Sequence, residues 1–503
     1  MNSFSFAAAA ALTIVGAANA HAAPARCADL AKFAMPGQNV VIQQVREVPR
    51  DAVLPAHCRV DGVINPRTGR HGKPYGIGFA VALPAEWNGR FLFQGGGGLN
   101  GSVQAPIGAG YAGDRSALAR GFAVASTDSG HNGTGFDGSF FEDQQATLDF
   151  LYQGVASTVV VARQIVARRY ALPIRHAYFV GCSTGGREAM MMSQRFPDLF
   201  DGIVACAPAM RTSFSNLGLR HATTALNAIA PTRADGKPDT RNALSDADRE
   251  LLVGGVLEAC DALDGSRDGF VFAAPRCEFD PGTLECKGAK NDRCLSPAQV
   301  NAVRTVMRGP RSTGGRQVYP GYFYDTGIAT TQGLPGILAG PVIPEGRPVA
   351  ATMDIDKEWA DAIDGRSMAG DTDAWTNLST FRGRGGKLIF AHGLSDPWFS
   401  ARDTVDYYER LATANPETPL ADWSRLFLVP GMGHCSGGAR TLDRFDLLTA
   451  IVDWVESARA PERVVATSKS TPGESRPLCP WPAYARYTGT GAANNADNYN
   501  CAR

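Results

Sequence analysis

Short apolar runs bounded by Gly or Pro alternate with helix-period segments in two separated blocks of this chain, and that alternation limits the fold more than any other feature. In the first block, runs at 81–84, 91–93 and 122–126 read as strands and 156–170 as a helix. A strand at 177–180, a helix starting near Gly185 and a strand at 203–205 complete it. The second block offers a strand at 387–391, a helix at 404–411, a strand at 426–429 and an amphipathic helix at 445–455. Such alternation requires a mainly parallel sheet covered on both faces, an α/β fold. Residues 210–380, between the blocks, are rich in Gly, Pro, Asp and Thr, hold four cysteines and show no β-α alternation beyond one helix predicted at 246–257. The expected organisation is one domain from 23–209 and 381–503, interrupted by an inserted lid domain at 210–380.

The chain of 503 residues is long enough for that arrangement at roughly 100–200 residues per domain. Hydrophobic residues at 44% and charged ones at 19% exclude a disordered chain and a collagen-like fibre. Lys plus Arg and Asp plus Glu both number 49, with no basic stripe, so nucleic acid is not an expected partner. Residues 4–20 are almost entirely apolar and are followed by Ala20-His21-Ala22, which reads as a signal peptide over 1–22. No later apolar stretch reaches the ~18 residues of a membrane span, so no membrane is expected and the protein should be secreted or periplasmic.

The eleven cysteines form no C-x-x-C and no zinc-ligand spacing, and export favours disulfides. Their odd number leaves at least one unpaired, and Cys206, inside the apolar run 202–206, is expected to be a free buried thiol.

Gly181-Cys182-Ser183-Thr184-Gly185 fits G-x-S-x-G directly after a predicted strand and before a predicted helix, the context of a nucleophile held on a sharp turn. A serine nucleophile needs a base and an orienting carboxylate. Asp396 and His434 follow the two strands of the second block, in the chain order Ser, Asp, His of an α/β-hydrolase. His392 and His131 are rival bases read as structural, and Asp403 and Asp406 are expected to face solvent. Oxyanion donors should be the N–H of Thr184 and one from the run Gly95 to Gly98, with Gly95 the expected residue.

Residues 181–186, Asp396 and His434-Cys435, with Ala85-Glu86-Trp87-Asn88-Gly89-Arg90 and Leu428-Val429-Pro430-Gly431-Met432, resemble the tannase and feruloyl esterase family over nearly the whole mature chain. Within it the chain is similar to the bacterial branch that includes a terephthalate monoester hydrolase. It differs from that enzyme in a shorter lid and in Thr184, which replaces the enzyme's glutamate after the serine. The resemblance implies an α/β-hydrolase fold and a serine ester hydrolase acting on small aromatic esters of the feruloyl or galloyl type. A terephthalate monoester hydrolase is the alternative within the class, and an inactive binding protein of the same fold is the alternative outside it. The resemblance also implies the pairs Cys27–Cys58, Cys182–Cys435, Cys260–Cys277, Cys286–Cys294 and Cys479–Cys501, and places Phe399, with Trp398 beside it, in the substrate cleft. It further implies a structural calcium in the lid, held by the carboxylates of Asp261, Asp264 and Asp268 and the carbonyls of Ser266 and Phe270. Closely spaced carboxylates separated by glycines suit a hard cation that takes several oxygen ligands.

Overall fold

The computed structural model describes residues 23–344, 349, 351–468 and 471–503; the signal peptide expected over 1–22 lies outside them. Nine strands form the central sheet: β1 (Val40–Val48), β2 (His57–Thr68), β3 (Pro74–Pro84), β4 (Arg90–Gln94), β5 (Ala123–Thr127), β6 (His176–Cys182), β7 (Gly202–Cys206), β8 (Lys387–Gly393) and β9 (Ser424–Val429). Their order is β1-β2-β3-β5-β4-β6-β7-β8-β9. Pairing is antiparallel from β1 through β3 to β5 and parallel from β5 through β4 to β9. This is an α/β-hydrolase fold.

The strands that the sequence reading lacks, β1 and β2, carry polar residues on a half-exposed face, so no continuous apolar run marks them. The parallel strands are apolar on both faces. Phe179, Ile203, Leu388 and Leu426 pack on one side with the helices Gly154–Tyr170 and Thr184–Arg195. The alternate residues Tyr178, Val204, Ile389 and Phe427 pack on the other with the helix Leu447–Ser457. The period of two along each strand thus divides one sheet between two cores. The helical stretch Gln144–Tyr170 is long and apolar enough to cross a membrane, yet 61% of its most apolar window is buried inside the fold.

Between β7 and β8 the described chain contains helices and no named strand. Two of these helices begin at reciprocal caps. Ser245 accepts the Asp248 N–H while Asp248 accepts the Ser245 N–H, and Ser296 and Gln299 repeat the pattern before Pro297–Arg308. Leu219, Leu226, Leu252, Val256 and Val303 of this inserted segment belong to the same apolar cluster as Phe179 and Leu426. The lid therefore shares the body's core.

Asp403 corrects the expectation of a solvent-facing carboxylate. Asp406 is exposed, but Asp403 is buried and accepts hydrogen bonds at 3.1 Å from Arg211 Nε, which reaches it from the segment after β7. The five disulfides join the cysteine pairs implied by the family resemblance, and Cys206 is free and buried.

Candidate active site

β6 ends at Cys182, and the helix Thr184–Arg195 begins one residue after Ser183. Ser183 sits between them at φ 63° and ψ −122°, a conformation that L side chains rarely adopt. Close packing makes the turn possible: a Cβ on Gly185 would lie 2.6 Å from the Gly96 carbonyl oxygen, and one on Gly186 would collide with the Cys206 carbonyl. The Ser183 backbone is pinned through its N–H to Cys206 O (3.1 Å) and through its carbonyl, which accepts from Arg187 and Ala209.

The loops after β8 and β9 bring Asp396 and His434 together, with His434 Nδ1 2.7 Å from Asp396 Oδ2. His434 Nε2 is buried and has no hydrogen-bond partner among the described residues. Asp396 is fully buried, which alone would raise its pKa. Electrostatic attraction to His434 and hydrogen bonds from His392 and His434 outweigh that penalty and hold the carboxyl well below the usual range. Its other oxygen accepts the N–H groups of Trp398 (2.8 Å) and Phe399 (3.1 Å). His392 is structural: it contacts Thr404 Oγ1 at 2.8 Å and the Phe399 carbonyl at 3.0 Å and has no exposed side-chain surface. His131 stacks on Phe140 with ring centroids 3.8 Å apart, and burial lowers its pKa to about 4.

Ser183 stands between two cavities. One of about 580 Å³ is lined by Gly95 to Gly98, Tyr111, Ser183, Trp398 and His434. The other, of about 250 Å³, is walled by Phe136, Phe141, Phe150, Leu219, Trp398 and Phe399. Trp398 and Phe399 also pack on the imidazole, their ring centroids 4.8 and 5.2 Å from that of His434. Arg187 and Asp371 are the only charged side chains among the described residues that line the smaller cavity, and Thr212, Ser213 and Asn216 line it too. Arg187 is committed elsewhere: its guanidinium donates to the Leu151 (2.8 Å) and Phe150 (3.1 Å) carbonyls. Burial, reinforced by the charge of Asp373, pushes the Asp371 carboxyl up to about 7.

Of the two amides expected as oxyanion donors, one is already engaged. Thr184 N–H has no acceptor among the described residues, whereas Gly95 N–H donates to the Val180 carbonyl at 3.0 Å, extending the β4–β6 ladder by one bond. Gly96 N–H is likewise spent, on Glu188 Oε2 at 2.9 Å. Among the described residues, the amides of the run without an acceptor are those of Gly97 and Gly98, because the chain leaves the sheet only after Gly95.

In the lid loop, Asp261 accepts the Gly269 N–H, and Asp264 accepts those of Ser266 and Phe272, all at 3.1 Å. Asp268 accepts the Phe270 N–H (3.1 Å), a guanidinium N–H of Arg476 (2.6 Å) and the Tyr499 hydroxyl (3.1 Å). No three acidic or histidine side chains among the described residues converge closely enough to hold a metal. Burial pushes Asp264 up to about 7, and the charges of Asp268 and Asp261 add to the shift. A carboxylate has about four lone-pair sites, so Asp261 and Asp264 keep acceptor capacity beyond these backbone bonds.

Tyr111, Arg187 and Asp371 are site residues that sequence reasoning missed. Tyr111 O–H donates to the Cys435 carbonyl (2.8 Å) and lies 3.2 Å from Cys182 Sγ, tying a loop after β4 to both cysteines beside the site. Arg187 stands in the same helix as the G-x-S-x-G motif, where position alone could have marked it. Nothing local in the sequence marks Tyr111 or Asp371.

A family profile described as Tannase and feruloyl esterase matches residues 58–340 and 350–502. The chain is 41% identical to mono(2-hydroxyethyl) terephthalate hydrolase of Piscinibacter sakaiensis, over 90% of this chain and 85% of that one. It is 31% identical to a probable feruloyl esterase B-2 of Aspergillus terreus, over 83% and 82% of the two chains. Among solved structures, feruloyl esterase B from Aspergillus oryzae superposes with a TM-score of 0.79 at 26% identity, covering 95% of this chain and 99% of that one.

Proposed function

We propose, for a chain that belongs to the tannase and feruloyl esterase family of carboxylic ester hydrolases, that it cleaves esters of hydroxylated aromatic acids of the feruloyl or galloyl type through a covalent acyl-enzyme. The observation that carries this reading is the Asp396–His434 pair, whose Nε2 has no partner among the described residues, with His434 and Ser183 lining one cavity. Asp396 holds the Nδ1–H tautomer and leaves Nε2 free to take the Ser183 proton as Oγ attacks the ester carbonyl. Thr184 N–H and an amide of the Gly97–Gly98 turn receive the developing oxyanion. His434 returns the proton to the departing alkoxide. Water, deprotonated by the same imidazole, then cleaves the acyl–Ser183 bond and releases the acid.

The smaller cavity suits an aromatic acyl group: its walls are aromatic, and Asp371 can accept from a ring hydroxyl. Its charge also weighs against a terephthalate acyl group. That ligand would bring a carboxylate toward Asp371, and Arg187, the one cation among the described residues that line the cavity, gives two of its N–H donors to backbone carbonyls. The 41% identity to a terephthalate monoester hydrolase keeps that reading as the alternative. Comparing kcat/KM for methyl ferulate, methyl gallate and a terephthalate monoester decides between them, since specificity is a ratio of those constants. A terephthalate preference would reverse the assignment, and no turnover of any aryl ester would leave a binding protein.

Export supplies the compartment in which five disulfides persist, and we place the protein in the periplasm or outside the cell. Calcium held by Asp261, Asp264 and Asp268 with the carbonyls of Ser266 and Phe270 would serve stability alone.

A further inference from the structure

Glu188, on the first turns of the helix that follows Ser183, is buried, with 2% of its surface exposed. Its carboxylate lies where the loops after three neighbouring strands meet. Oε2 accepts Gly96 N–H (2.9 Å) from the loop after β4. Oε1 accepts Asn100 Nδ2 (2.7 Å) from the same loop and the Ser129 hydroxyl (3.1 Å) from the loop after β5. Three donors converge on one side chain, and Asn100 Nδ2 also contacts Ser129 Oγ. Both carboxylate oxygens accept here, whereas a glutamine would turn one end into a donor facing donors. Asn100 at φ 54° and Ser129 at φ 64° both occupy the left-handed region.

The same loop is held to the nucleophile turn at further points. Gly185 N–H donates to the Gly96 carbonyl (3.1 Å), and the Thr184 hydroxyl donates to the Gly98 carbonyl. Gly96 is therefore fixed on both its N–H and its C=O by residues just beyond Ser183, and Gly97 and Gly98, whose amides have no acceptor among the described residues, lie directly after it.

We infer that Glu188 is a positioning residue for the oxyanion site: it clamps Gly96 so that the free amides of Gly97 and Gly98 stand at a fixed distance from the Thr184 N–H. The inference rests on the serine-esterase reading. Donors aimed at charge that develops only in the transition state act on kcat, and their value depends on preorganisation. A loosened clamp should therefore cost turnover while leaving ground-state binding intact.

Glu188→Gln and Glu188→Ala, assayed in the full-length enzyme, test this. The expected result is a kcat lowered about 10–100-fold with KM nearly unchanged, Glu188→Ala being the worse. Affinity for an aryl boronic acid, which forms a tetrahedral adduct on Ser183, should fall by a similar factor while affinity for the aromatic acid product holds. Asn100→Gly keeps the left-handed backbone, removes one leg of the clamp and should lower kcat in the same direction; it carries the test if the Glu188 variants do not fold. Unchanged kcat and boronate affinity in the folded variants would overturn the inference, as would a parallel loss of boronate and product binding. Failure of the underlying reading looks different, because Ser183→Ala would then retain turnover.

Discussion

Cys182 and Cys435 lie 253 residues apart in sequence and are bonded to each other, with their Cα atoms 6.0 Å apart. One precedes Ser183 and the other follows His434, so the bond sets the distance between strand ends that carry the nucleophile and the base. The Tyr111 hydroxyl braces it from the side.

Replacing both cysteines with alanine should therefore reduce kcat beyond any loss of folded protein, because a small misplacement of nucleophile and base is costly. The fold should also lose about 2–5 kcal/mol on a chain-entropy estimate. Activity per folded molecule, with folded fraction measured by near-UV circular dichroism, checks the first claim and denaturant unfolding the second. Peptide mapping that finds both thiols free in active enzyme would remove the premise.

Ser183→Ala and His434→Ala should each lower kcat by several orders of magnitude while leaving the melting temperature close to that of the parent. Residues that act as a unit are not additive, so the double variant should be scarcely slower than either single one. Burst kinetics with a chromogenic aryl ester should show one acyl group per active site in the parent and none in Ser183→Ala.

Asp371 makes acyl preference depend on pH. Burial and the neighbouring Asp373 raise its carboxyl to about 7, so it is mostly protonated near pH 6 and mostly ionised near pH 8. An ionised carboxylate accepts a phenolic hydrogen bond more strongly than a neutral acid does. The kcat/KM ratio of a 4-hydroxylated to a 4-methoxylated cinnamate ester should therefore rise between those pH values. The pH effects common to both substrates cancel in that ratio. Asp371→Asn should flatten it, and a flat ratio in the parent would take Asp371 out of acyl recognition.

Calcium removal should lower the melting temperature more than it lowers kcat at low temperature. A ligand bound only by the folded state stabilises it by RT ln(1 + [L]/Kd), about 2.7 kcal/mol at a hundredfold excess over Kd. Asp264→Ala should melt at the chelated temperature with or without added calcium. A protein isolated without calcium, whose melting curve ignores chelators, would reduce the lid loop to a turn.

Local features of the sequence determined the parallel half of the sheet, the nucleophile turn and the Ser183, Asp396, His434 order. Strands buried on both faces read as apolar runs, and a strained turn demands small residues at fixed offsets. The antiparallel strands β1 and β2 escaped because a half-exposed strand carries polar residues and leaves no apolar run. Hydrogen-bond assignment was beyond the sequence as well. Which amide of Gly95 to Gly98 stays free depends on where β4 stops pairing with β6 and on Glu188 reaching Gly96, contacts between segments some 90 positions apart. Asp403 turned inward for the same reason, since its partner Arg211 comes from another part of the chain. Periodicity and motif spacing record what a residue's neighbours in sequence require of it. The partner of a buried polar group is set by packing between distant segments, and only the tertiary structure decided that.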